Sequence, residues 1–201
     1  MNDNYLKELF IDEAKAALQR HSGAGGGSGE MDQLINRSIT EISSNINTIG
    51  AYAFYGCESL TNINRPSATS VGDYAFRQCT ALTTVELPSV TIIGKYGFYG
   101  CTSLTTVDAP KITSIGSYAF CSCSDLTKLI LRGEAVCTLS NVNAFTSTPI
   151  ADAAGYILVP RDLVATYQAS SNWTKYSAQF RALEDYTVDG TIAGAIDETK
   201  I

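Results

Sequence analysis

The sequence predicts an α+β repeat solenoid of 22-residue units with short strands and helical turns, an N-terminal helix and a C-terminal cap. Three observations predict it. First, Ile49-Gly50-Ala51-Tyr52-Ala53-Phe54 returns as Val71-Gly72-Asp73-Tyr74-Ala75-Phe76, as Ile93-Gly94-Lys95-Tyr96-Gly97-Phe98 and as Ile115-Gly116-Ser117-Tyr118-Ala119-Phe120. Second, Cys57, Cys79, Cys101 and Cys123 keep the same step, as do Leu60, Leu82, Leu104 and Leu126, and then Ile63, Val85, Val107 and Leu129. Third, Pro66, Pro88 and Pro110 close the first three units. A fixed period of this length marks stacked coils, none of which can bury its apolar row alone.

Within a unit, Leu82 to Leu87 alternates at its end. Val85 and Leu87 face the core while Thr84 and Glu86 face out, as in a short strand. Pro88 cannot donate to a ladder and ends that strand. Val90 and Ile93 re-enter the core, and Gly94 permits a turn that a side chain would obstruct. The Tyr-Ala-Phe segment is expected to form one helical or 3₁₀ turn on the outer side.

The chain divides into five segments. Residues 1–22 read as an amphipathic helix, with Leu6, Leu9, Phe10, Ala14, Ala17 and Leu18 at three-to-four spacing. Residues 23–30 are a flexible glycine-rich linker. Three readings of the helix stay open: folding back on the solenoid or remaining disordered, self-association or docking onto a larger assembly, and an engineered fusion. Residues 31–149 form the solenoid, with a degenerate half unit, four full units and an altered fifth coil over 132–149. Residues 150–187 form the cap, with a strand at Tyr156–Val159 ended by Pro160. A helical stretch follows over 161–168, then a second short helix carrying Trp173, Tyr176, Phe180 and Leu183. Residues 188–201 are an acidic tail, expected to be extended or mobile.

Composition excludes several classes. A net charge of −6 argues against nucleic acid and anionic membrane surfaces as partners. No run of 18 apolar residues exists to span a bilayer, and Asp3, Glu8, Asp12 and Glu13 interrupt any signal-peptide core. The sole histidine, His21, sits beside the linker, so the solenoid offers no base for a nucleophilic triad. No catalytic residue, metal site or cofactor is expected. Four of the six cysteines share one repeat position and are expected as buried thiols. A pairing of Cys137 with Cys121 or Cys123 stays open. Asn36-Arg37-Ser38 and Asn172-Trp173-Thr174 fit a glycosylation sequon, which matters only in a eukaryotic secretory setting.

The pattern I-G-x-x-A-F-x-x-C-x-x-L-x-x-I-x-[LI]-P, carried here over residues 39–145, resembles the BspA-type (Treponema pallidum-like) leucine-rich repeat. Gly97 in place of Ala, and Arg65 and Ala109 at a usual Leu or Ile position, depart from it. Gly155 to Trp173 looks like the end-capping region that often follows such repeats. The resemblance implies a right-handed-type leucine-rich repeat solenoid in a bacterial surface-exposed or secreted protein that acts in adhesion or protein–protein contact and is not typically an enzyme.

The candidate binding face is therefore the outward strand row: Asn62, Asn64, Thr84, Glu86, Thr106, Asp108, Lys128 and Ile130. Glu86 and Asp108 read either as a small acidic patch for a cation or basic ligand, or as solvated surface acids. A second candidate is the convex stripe Tyr52, Tyr74, Tyr96 and Tyr118, read either as a contact for protein or sugar or as intercoil packing with hydroxyls in water. The partner is expected to be a protein or glycan. The alternative is a phage or prophage virion component docked through its N-terminal helix, with the repeats displayed for receptor binding.

Overall fold

The computed structural model describes residues 48–63 and 67–186. The expected N-terminal helix, linker, acidic tail and the first half unit up to residue 47 lie outside the described residues, as do His21, Asn36 and Asn64.

Each coil contributes two short strands, where the sequence suggested one. β1 (Thr48–Ile49), β3 (Ser70–Val71), β5 (Ile92–Ile93), β7 (Ser114–Ile115) and β9 (Thr138–Leu139) form one parallel sheet. β2 (Asn62–Ile63), β4 (Thr84–Glu86), β6 (Thr106–Asp108), β8 (Lys128–Ile130), β10 (Tyr156–Val159) and β11 (Phe180–Ala182) form the other. The missed strand was masked by brevity: only its second residue, such as Ile93, is buried, and alternation over two residues leaves no pattern to count.

The arch between the two strands is not helical. Ala53 N–H bonds to Gly50 O and Tyr55 N–H to Tyr52 O, whereas Tyr52, Phe54 and Gly56 donate to the next coil at Asp73, Ala75 and Arg77. Half of the arch's donors thus serve the stack, which a helix would forbid. Tyr52, Tyr74, Tyr96 and Tyr118 accordingly adopt φ of 57–59°, in the left-handed region that costs a non-glycine residue energy. Gly72, Gly94 and Gly116 are required for a different reason. A Cβ on Gly116 would lie 2.6 Å from the backbone of Gly94 and Lys95, so the coils approach too closely for any side chain.

Inside, like stacks on like. Phe54, Phe76, Phe98, Phe120 and Phe145 form a buried column with ring centroids 5.0, 5.1, 5.4 and 5.5 Å apart. Each such ring removed from water stabilises the fold by about 2–3 kcal/mol. The thiols of Cys79, Cys101 and Cys123 donate to the carbonyls of Phe54, Phe76 and Phe98 at 3.0–3.1 Å. None of the six cysteines is in a disulfide, which settles Cys137 as a thiol. Burial, and then the Cys123 sulfur, push the Cys101 thiol well above its ordinary pKa.

The corners are tied by hydroxyl ladders that the sequence reading missed. Thr83, Thr105 and Thr127 each donate to the carbonyl one coil earlier, at Thr61, Thr83 and Thr105. Thr91 and Thr113 do the same to Thr69 and Thr91, and Thr102 and Ser124 to Thr80 and Thr102.

The fifth coil is longer and runs beyond 149. β9 pairs with β7, Phe145 joins the aromatic column, and β10 pairs with β8 in the place of a fifth-coil strand. A 3₁₀ turn (Arg161–Leu163) and α1 (Val164–Ala169) follow. The expected second helix is shorter than its spacing suggested: a 3₁₀ segment covers Thr174–Gln179, and Phe180–Ala182 is strand β11. The vacant edge of β10 offers backbone partners that a free helix lacks, and Phe180 and Ala182 turn inward by strand alternation.

Candidate functional site

Parallel pairing in register builds the strand row. Asn62 pairs with Thr84, Thr84 with Thr106, Thr106 with Lys128, and Lys128 with Tyr156. The first four belong to the predicted face; Tyr156 does not. It joins the row because the β8-to-β10 step, Leu129 to Ile157, is 28 residues and hides it from the 22-residue period. Tyr156 stacks on Tyr186 at 5.5 Å, and the Lys128 ammonium lies 5.8 Å from the Tyr156 ring. The row therefore ends in an aromatic side chain.

The second outward row differs from expectation. Glu86 is exposed and pairs in register with Asp108. Asp108 is held by Arg132, whose Nη2 and Nε donate to its two carboxylate oxygens at 2.9–3.3 Å. The guanidinium compensates its charge, so the two acids do not form an open cation site, and among the described residues no acidic, histidine or cysteine cluster suited to a metal occurs. Ile130 was expected to face solvent and is instead buried at 6% exposure, beside the fully buried Leu158 in register. The accessible face is thus Asn62, Thr84, Glu86, Thr106, Lys128 and Tyr156, with Asp108 half covered.

The tyrosine stripe has a defined geometry. Its rings stack face to face at 4.8, 4.9 and 5.1 Å, and Asn143 Nδ2 donates to the Tyr118 hydroxyl at 3.3 Å in the coil beyond. Stacking occupies the faces that a sugar ring would use, favouring the packing reading. Beside it runs a row that the sequence reading did not assemble: Tyr55, Arg77 and Tyr99, one per coil.

Asn172, the second sequon, is committed elsewhere. Its Nδ2 donates to Leu139 O at 2.7 Å at the edge of β9. Trp173 Nε1 donates to Cys137 O, Tyr167 Oη accepts from Cys137 N–H at 2.8 Å, and Tyr176 Oη donates to Val142 O. Among the described residues no helix is long and apolar enough to cross a membrane.

Two parallel sheets built from one repeated coil define a leucine-rich-type solenoid. Residues 33–150 match the BspA type leucine rich repeat region in six copies, and the chain belongs to that family. Membership points to a protein-binding repeat module. Among solved structures, a leucine-rich repeat protein from Bacteroides ovatus is similar, with 20% identity and a TM-score of 0.41 over 59% of this chain. The chain spans 38% of that protein. No curated protein matches.

Proposed function

We propose that this chain is a non-catalytic, protein-binding module displayed on a bacterial surface or secreted, acting in adhesion. The observation that carries this is the in-register row Asn62–Thr84–Thr106–Lys128–Tyr156. Its polar groups project from a continuous parallel sheet and it ends at Tyr156, a residue type enriched among the hot spots of protein interfaces. Surface display rests on the family likeness. An enzyme reading lacks a nucleophile and base brought together among the described residues.

The test uses the full chain, labelled and offered to bacterial cells and to immobilised host matrix proteins. The comparison is a Thr84→Arg/Thr106→Arg variant, which leaves the Asp108–Arg132 pair intact. Saturable binding by the parent, weakened by about tenfold or more in the variant, supports the strand row. Binding that the variant retains in full sinks it, and no binding by either points to a structural spacer.

A further inference from the structure

We infer that Arg77 is the centre of a second recognition site, distinct from the strand row, that takes a single carboxylate from an acidic side chain of a protein partner. Arg77 occupies on its coil the position that Tyr55 and Tyr99 hold on the coils to either side. Its guanidinium carbon lies 5.5 Å from the Tyr55 ring, 5.0 Å from Tyr99 and 5.8 Å from Tyr74, within cation–π range of all three. No acid pairs with it among the described residues, and its Nε is buried without an acceptor. Arg77 is half-buried, and among the described residues no hydrogen bond engages either Nη group.

That arrangement suits one ligand chemistry. With Nε closed off, only the end-on edge remains, where Nη1 and Nη2 donate in parallel to the two oxygens of a planar carboxylate. The rings hold the long side chain in place, so little rotamer freedom is left to lose on binding. A dense polyanion fits poorly, because the row's other members, Tyr55, Tyr99 and Cys121, are neutral and the whole chain carries −6. Tyrosine and arginine are also, with tryptophan, the residue types enriched among the hot spots of protein interfaces.

The probe is the capped peptide Gly-Glu-Gly, with Gly-Gln-Gly as its neutral twin and a heparin-derived hexasaccharide as the polyanion. Each is titrated into the full chain while the arginine side-chain NMR signals are followed. The expected result is a saturable shift of the Arg77 signals with the glutamate peptide, about tenfold weaker with the glutamine peptide. Arg77→Lys keeps the charge, loses the fork and should weaken binding about threefold. Arg77→Gln, checked for an unchanged thermal midpoint, should abolish it, and Lys111→Gln should leave it unaltered. If Arg77→Gln unfolds the chain, the lysine variant carries the test. An unmoved Arg77, equal response to the two peptides, full retention in Arg77→Lys, or saturation by the hexasaccharide alone would overturn the inference.

Discussion

The repeat body and the segment after residue 150 solve one problem in opposite ways. In the body, a coil's edge is met by an identical edge: backbone to backbone, phenylalanine to phenylalanine, threonine hydroxyl to threonine carbonyl. At β9 no such coil follows on. There, side chains take the place of backbone, with Trp173, Tyr167, Asn172 and Tyr176 bonding to Cys137, Leu139 and Val142. Trp173 and Tyr176 also close the end of the phenylalanine column, against Phe145. Self-stacking is redundant, because each rung repeats. The terminal arrangement is made once, so each of its residues matters singly.

That contrast can be broken at either side. Trp173→Ala should cost the most, about 3–5 kcal/mol. It removes a fully buried side chain and a bond to Cys137 O together, and denaturant unfolding measures it. If it proves no worse than a surface change, the end segment does not stand in for a coil. Gly116→Ala follows at about 1–3 kcal/mol, because its Cβ must push Gly94 and Lys95 away; a thermal midpoint unchanged from the parent would deny the close approach.

Alkali should also weaken the end segment, beside the loss that the buried Cys101 thiol brings to the body. Burial pushes the Tyr167 phenol up to about 12, and that of Tyr176 upward in the same sense, above the ordinary 10. The folded state favours the neutral phenol, so the stabilisation is complete below about pH 10 and is lost as pH rises through about 12. Urea midpoints should fall across that window, and Tyr167→Phe should flatten the fall. Thr105→Val should cost least, about 0.5–1 kcal/mol, because Thr83 O keeps its bond from Thr105 N–H; a loss as large as that of Trp173→Ala would mean the body is not redundant.

The same contrast explains what could be seen in advance. Wherever the period holds, sequence position implies spatial position, so Thr84 beside Thr106 and Tyr74 beside Tyr96 follow from counting. The fifth coil breaks the count: Phe120 to Phe145 is 25 residues and Leu129 to Ile157 is 28, so Tyr156 drops out of its row. Arg132 opens the altered fifth coil, and nothing local tells that it reaches Asp108. The threonine ladders were legible in principle, at Thr61, Thr83, Thr105 and Thr127, but exposed threonine carries no hydrophobic signal and looked like surface. Recognition is best sought where a column stops repeating. Lys128 and Tyr156 do so on the strand row, and Arg77 does so on the arch.

The most direct test of the strand row is hydroxyl-radical footprinting of the full chain, with and without a protein captured in the adhesion screen. The account predicts that oxidation of Tyr156 falls on complex formation, together with that of neighbouring Lys128 and Tyr186, while Tyr52 is unchanged. Protection confined to other surfaces, with Tyr156 oxidised as in the unbound chain, would contradict it.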